Sequence, residues 1–205
     1  MSAWIFKNRV VWLVAWLVCA TALDQGSKMW AQANLSVERT VTHPEVNAAG
    51  ETVEVSEVRH VAKNPMAVIP GLFNFKYAEN PAAAFSLTSN LPDWLRRPFL
   101  VGVSLLACLL LVVWYLKLGQ ADGLLLTSFA AIVSGALGNL IDRVRLSYVI
   151  DFLDVYVAPS DLARWLTLHL GTSHWPTFNV ADMCIVLGAL GVMWRTLRPI
   201  ARPEE

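Results

Sequence analysis

Residues 99–118 read FLVGVSLLACLLLVVWYLKL, a run of 20 residues in which Lys117 is the one charged side chain. A helix that crosses the hydrocarbon core of a bilayer needs about 20 mostly apolar residues, so this run predicts a membrane span. Three further stretches have the same character: residues 10–30, 123–141 and 178–197. The sequence therefore predicts a mainly α-helical membrane protein, with four transmembrane helices in one integral membrane domain over residues 1–205.

The composition of the whole chain agrees with this fold class. Hydrophobic residues make up 56% of the chain and charged residues 16%, whereas soluble domains carry about 25% charged residues. Lys plus Arg and Asp plus Glu number 16 each, so no excess of positive charge would attract nucleic acid. Neither Cys-x-x-Cys nor His-Glu-x-x-His occurs. We therefore expect no nucleic-acid partner, no metal and no cofactor.

The cations that flank the spans predict an orientation. One side would carry Lys7, Arg9, Lys117, Arg195, Arg198 and Arg202, and the other Arg96, Arg97, Arg143 and Arg145. The richer side is expected in the cytoplasm, which places both termini there. Ala20-Thr21-Ala22 resembles a secretory cleavage site, but the helical pattern continues past it, and we interpret the first stretch as an uncleaved span.

Two outer segments, residues 31–95 and 144–177, connect the spans. Alternating apolar residues predict strands of one small sheet over residues 51–61 and 73–77. Ser160-Asp161 is typical of a helix start and Gly171 of a helix end. Because Leu162, Trp165, Leu166 and His169 would share one face of this short helix, we expect it to lie in the membrane interface.

Three acidic residues, Asp24, Asp142 and Asp182, lie within or at the ends of apolar stretches, where ionisable groups are costly and persist mostly where they pair or do chemistry. Spans one and three run in the same direction and span four returns. The three acids are therefore expected at one face of the membrane, which the orientation above makes the outer face.

The spacing of polar residues suggests partners for two of these acids. Asp24 and Lys28 are four residues apart, the order that favours a helical ion pair, with Lys28 reaching towards the surface. Asn139, Asp142 and Arg143 share one helical face, beside Gly135 and Gly138, which allow close helix approach. That face would either hold a substrate or pack helices together, and spacing alone favours neither interpretation.

Asn179 and Asp182 lie on one face in the first turn of span four, and Asp151 follows span three. Two carboxylates in a partly desolvated site rarely both ionise. One then acts as a general base towards water and the other as a general acid. From spacing alone, proton-coupled transport is as well supported as catalysis.

Five segments follow one another along the chain: DQGSK (24–28), NPAAAF (80–85), GALGNLIDR (135–143), VIDF (149–152) and FNVAD (178–182). Together they resemble the lipoprotein signal peptidase (signal peptidase II) family. The resemblance implies an aspartyl endopeptidase of the bacterial inner membrane that cuts prolipoproteins just before a diacylglyceryl-modified cysteine. The expected partners are therefore lipid-modified prolipoproteins and membrane lipids.

Matched motif by motif, the resemblance implies that Asp151 and Asp182 are the catalytic pair. It also implies a set of residues that bind substrate or support the site: Asp24, Lys28, Asn80, Asn139, Asp142, Arg143 and Asn179.

The chain departs from the family pattern at Ala82, where a glycine is usual, and a glycine that needs positive φ would imply a different turn here. Residues 36–68 and 158–173 look like insertions relative to shorter members. Two other functions stay open, a proton-coupled small-molecule membrane carrier and a non-catalytic membrane scaffold.

Overall fold

The computed structural model describes residues 8–46, 51–81, 93–118 and 122–198. Within these residues, four helices are long and apolar enough to cross a membrane: α1 (Arg9–Leu35), α2 (Asp93–Lys117), α3 (Gly123–Leu146) and α5 (Val180–Leu197). The remaining elements are a short helix and small sheets. The predicted class, a mainly α-helical protein with four candidate membrane helices, is confirmed.

The first two helices are longer than the sequence predicts. The prediction ends the first span at residue 30, but α1 continues to Leu35 because Ala31 and Leu35, four residues apart, are 0% and 2% exposed and pack on one face. The prediction begins the second span at residue 99, but α2 begins at Asp93 and contains Pro98. Pro98 is the sixth residue of this helix, beyond the first four N–H groups that lack partners in any helix, so it removes one hydrogen bond from the second turn.

The other two spans differ from prediction by a few residues. α3 runs past residue 141 to Leu146, and the left-handed Ser147 (φ 73°) then ends it by donating its N–H to the Arg143 carbonyl. Arg143 and Arg145 lie in its last turn, where cations interact favourably with the helix dipole. α5 begins at Val180, with Asn179 as its N-cap.

The described residues form two compact units, and most of the spanning helices belong to the first, which comprises described parts of Met1–Ser27, Glu79–Val149 and Phe178–Glu205. Its core is formed by buried residues of α1, α2 and α3: Leu13, Tyr115, Leu126, Phe129, Ala130 and Val133. The Trp114 and Phe129 rings, 4.9 Å apart, pack α2 against α3, the next helix along the chain. Residues 119–121, between α2 and α3, lie outside the described residues.

The helices α3 and α5 are joined at both ends and touch in between. Asp122, the N-cap of α3, accepts from Leu125 N–H and pairs with Arg195 in the last turn of α5. At the other end Asn139 reaches Asp182. Beside the second contact, a Cβ on Gly135 would lie 2.3 Å from the Ala181 carbonyl oxygen, and between the two contacts a Cβ on Gly188 would lie 2.5 Å from the Ser128 carbonyl oxygen. The close approach predicted for Gly135 is confirmed.

The second unit comprises described parts of Lys28–Ala78 and Ile150–Thr177 and holds most of the strand residues. An antiparallel pair is formed by β1 (Ser36–Val46) and β2 (Thr52–Ala62). A three-stranded sheet, ordered β3-β4-β5, is formed by β3 (Met66–Ile69), β4 (Phe73–Asn80) and β5 (Val149–Val155). The prediction of one sheet from residues 51–61 and 73–77 is wrong, because β2 pairs locally with β1, which follows α1 directly.

The short helix α4 (Asp161–Leu170) has the predicted caps. Ser160 accepts from Ala163 N–H, and Gly171 is left-handed with its N–H on the Thr167 carbonyl. Leu162 and Trp165 are 57% and 52% exposed, so their apolar surface is not used within the protein. Its location in the membrane interface and the single-domain organisation stay predictions.

Candidate active site

Asp182 is fixed by the way α5 begins. Asn179 Oδ1 accepts from the Asp182 N–H (3.0 Å), and Asp182 Oδ2 accepts from the Asn179 N–H (3.1 Å). This reciprocal capping box satisfies two N–H groups that a helix start otherwise leaves without partners. The i, i+3 spacing noted in the sequence is therefore a cap that also sets the position of the acid.

A second helix holds the same carboxylate. Asn139 Nδ2 on α3 donates to Asp182 Oδ1 (2.8 Å), and Asn139 Oδ1 accepts from Asn179 Nδ2 (3.2 Å). Asn139 and Asn179 are buried, whereas Asp182 is partly exposed. Each Asp182 oxygen thus accepts one hydrogen bond and keeps a second acceptor position, which suits a carboxylate that must orient a water or a protonated partner.

Asp24 anchors the residue next to Asp182. Its Oδ1 accepts from the Ala181 N–H (2.9 Å). Asp24 is 1% exposed, and its other oxygen lies where a side chain on Gly138 would be, 2.5 Å from an ideal Cβ. Any side chain at position 138 would collide with this carboxylate oxygen, so the predicted role of Gly138 in close helix approach is confirmed.

Asp142 and Arg143 make contacts that differ from those of Asn139, although all three share the predicted α3 face. Asp142 is 1% exposed and accepts from Gln25 Nε2 (2.9 Å) on α1. Arg143 Nη1 donates to the Asn139 carbonyl (3.3 Å) within its own helix. One face of α3 therefore serves two neighbours, α1 through Asp142 and α5 through Asn139.

Gln25 is a member of this cluster that the sequence reasoning missed. Its amide nitrogen lies 3.1 Å from Asp24 Oδ2, 2.9 Å from Asp142 Oδ1 and 3.2 Å from the Gly138 carbonyl. Its oxygen accepts from Arg145 Nη1 (3.2 Å). The available signal was its position beside Asp24 in the first motif.

Lys28 and Asn80 are placed as follows. Lys28 is 2% exposed, so the expectation that it extends to the surface is wrong: the continuation of α1 to Leu35 carries this position into a packed region. Asn80 is an exposed residue at the end of β4. Residues 82–85 of its motif, including Ala82 and its expected turn, lie outside the described residues.

Asp151 belongs to the second unit, in the strand β5. It is 3% exposed, and six consecutive residues of this strand are buried. On the same strand, Asp154 accepts from Asn74 Nδ2 (3.3 Å) and lies 3.2 Å from His174 Nδ1. Sequence reasoning did not single out Asp154 and Asn74. The pairing of Asp151 with Asp182 stays a prediction.

Known proteins share this sequence and fold. A family model described as signal peptidase (SPase) II matches residues 16–198. Lipoprotein signal peptidase from Geobacter metallireducens is 48% identical over 121 residues, 59% of this chain and 65% of that protein. Its namesake from Shewanella sp. (strain MR-4) is 34% identical over 181 residues, 87% of this chain and 82% of that protein.

A solved structure confirms the fold independently. A bacterial membrane enzyme determined by the in meso method at 2.3 Å resolution superposes with a TM-score of 0.62, covering 94% of this chain and 93% of that chain at 19% identity. At this identity the likeness concerns the fold alone.

Proposed function

Because this chain belongs to the signal peptidase II family, we propose that it is a membrane protease that removes signal peptides from bacterial prolipoproteins. The cut would fall just before the cysteine that carries a diacylglyceryl group. Such a substrate is held in the bilayer by its lipid and diffuses laterally to a protease embedded in the same membrane.

The proposed chemistry is that of an aspartyl protease, with Asp151 and Asp182 as the catalytic pair. One carboxylate takes a proton from water while the water oxygen adds to the scissile carbonyl carbon, and the other, protonated, gives its proton to the carbonyl oxygen. As this adduct collapses, the C–N bond breaks, the nitrogen takes the proton that the first carboxylate received from water, and a hydroxyl of the adduct returns a proton to the second carboxylate. The products are a carboxyl on the signal peptide and a free amino group on the lipidated cysteine.

The observation that carries this proposal is the double fixation of Asp182. Its two oxygens are held by the Asn139 amide and the Asn179 N–H, and these bonds come from two helices that contact each other closely. A reacting group held in one position contributes to catalysis because little reorganisation is needed in the transition state. A carboxylate that served only to cap α5 would not require the second bond from α3.

The other acid, Asp151, is buried on a strand whose neighbours are also buried. Its assignment to the catalytic pair rests on the family motif VIDF (149–152), in which it is the acidic residue.

Substrate binding is proposed to use the remaining polar groups of the family motifs. Asn80 and Arg143 can donate hydrogen bonds to an extended peptide, whose backbone groups need partners near lipid. Asp24, Lys28, Asn139, Asp142 and Asn179 would support the site. We propose a location in the bacterial inner membrane, with the site on the periplasmic side, both termini in the cytoplasm, and no cofactor.

The test is cleavage of a diacylglyceryl-modified prolipoprotein by the purified protein, followed by the appearance of free signal peptide. Asp151→Asn and Asp182→Asn should each lower the cleavage rate by about a thousandfold or more, because either loss removes the general acid or base. Asp161→Asn is the matched control, since the Asp161 side chain is 98% exposed on α4, and it should cleave at the unaltered rate.

The carrier hypothesis makes the opposite prediction. Proteoliposomes would then show proton flux, and neither lipidated nor unlipidated precursor would be shortened. Full cleavage by either Asp→Asn variant would refute the catalytic pair while leaving the peptidase itself in place.

A further inference from the structure

The side chain of Gln25 lies between two buried acids of the first unit. Its single amide nitrogen is within hydrogen-bond distance of a carboxylate oxygen of Asp24 and of Asp142, at 3.1 Å and 2.9 Å. The two carboxylate oxygens are therefore no more than about 6 Å apart. Both acids are 1% exposed, so water does little to screen the electrostatic repulsion between their carboxyl groups.

The orientation of this amide follows from its neighbours. The nitrogen faces three acceptors, the two carboxylates and the Gly138 carbonyl, whereas the oxygen faces the Arg145 guanidinium. The reverse orientation would bring an acceptor against three acceptors and a donor against a donor. Gln25 thus acts as a fixed donor to both acids, and every polar atom of its side chain is used.

Through Asp24 this donor is connected to Asp182. Asp24 uses Oδ2 for Gln25 and Oδ1 for the Ala181 N–H. Ala181 is fully buried in the first turn of α5, one residue before Asp182. A rotation of the Asp24 carboxylate would release the Ala181 N–H and loosen the turn that carries Asp182.

We infer that Gln25 is a positioning residue for Asp182: its amide locks the Asp24 carboxylate, which in turn holds the first turn of α5. This inference rests on the proposed peptidase function. A misplacement of about 1 Å in a reacting group can cost a hundredfold in rate, so a residue that touches no substrate would still control the cleavage rate.

The decisive variant is Gln25→Glu, which keeps the shape but replaces the amide donor by a carboxyl. Charged groups surround this position: Asp24 on α1, Asp142 and Arg145 on α3, and Asp182 beyond Ala181 on α5. The introduced carboxyl donates a hydrogen bond only when it is protonated, which acid favours. The kcat of Q25E relative to the unaltered protein should therefore fall by at least about tenfold between pH 5 and pH 8, with a smaller change in KM.

The matched control is Gln32→Glu, the same substitution seven residues later on α1, with the ratio of kcat values expected to stay flat over this pH range. Gln25→Met removes the donor without adding charge, and its kcat should be about tenfold lower or more at every pH. Thermal unfolding in detergent establishes that each variant is folded. If Q25E does not fold, Q25M decides.

Two failures are distinguishable. If the unaltered protein releases no signal peptide, the proposed function fails. If it cleaves, and Q25M has unaltered kcat or Q25E shows the flat ratio of Q32E, the positioning role of Gln25 is overturned while the peptidase stands.

Discussion

Asn139 and Asp182 are 43 residues apart in sequence, yet Asn139 Nδ2 donates a hydrogen bond to Asp182 Oδ1 over 2.8 Å. The same Asn139 side chain accepts from Asn179 with its oxygen, so both halves of one amide engage the start of α5. Both the nitrogen and the oxygen of this buried amide are hydrogen-bonded, so a different residue at position 139 would leave a polar group at the start of α5 without its partner.

Asn139→Asp is expected to reduce cleavage strongly. The change keeps the shape of the side chain but replaces the donor to Asp182 with a like charge, and we expect kcat to fall by about tenfold to a thousandfold. Kinetics on a lipidated prolipoprotein measure the effect. Asn34→Asp, an exposed amide that donates to Trp30 on its own helix, is the control, and equal rates for both variants would contradict the assigned contact.

Removing the cap of α5 should affect stability and activity together. Asn179→Ala is expected to cost about 0.5–2 kcal/mol of unfolding free energy, the usual value for an N-cap, and to lower kcat because Asp182 loses its reciprocal partner. Ser160→Ala removes the comparable cap of α4 and should cost similar stability without a loss of kcat. Chemical unfolding in detergent and cleavage kinetics separate the two effects.

Gly138→Ala tests the close approach beneath Asp24. The added Cβ would lie 2.5 Å from Asp24 Oδ2 and 3.2 Å from Ala181 Cβ, and overpacking of this kind costs about 1–3 kcal/mol. Gly102→Ala, on α2 with nothing within 4 Å of its Cβ, should instead stabilise by about 0.5–1 kcal/mol. A neutral Gly138→Ala would show that Asp24 is not held there.

The predicted orientation can be tested with single cysteines. In a background in which Cys19, Cys108 and Cys184 are replaced, Asp161→Cys should react with a membrane-impermeant maleimide in intact spheroplasts, and Lys117→Cys should react only after lysis. The opposite labelling pattern would invert the proposed topology.

The sequence was sufficient for the parts of the fold that depend on local patterns. Apolar runs of membrane length predicted the four candidate membrane helices of the described residues. Ser160 and Gly171 predicted both ends of α4, because capping depends on a few adjacent residues. The end of α1 was not predictable in this way. Its last turn is polar around Ala31 and Leu35, and only tertiary burial extends the helix to Leu35.

Strands that depend on distant partners were harder to predict. The strand β1 contains Pro44, which argues against a strand, yet it pairs with β2 over 11 positions. β5 has no apolar alternation because both of its faces are buried. In the candidate site, spacing pointed to Asn139, Asn179 and Asp182, whereas Gln25 was missed because its contacts lie 113 and 117 residues away.

The two polar contacts between α3 and α5 restrict how these helices can move relative to each other. Asp122–Arg195 and Asn139–Asp182 are separated by 17 residues of α3, about 26 Å of helix, with glycine contacts between them. Contacts near both ends, with close packing between them, hinder the two helices from separating and from sliding past each other. We therefore expect α3 and α5 to move as one body, so that a movement that admits a substrate would occur in other segments of the chain.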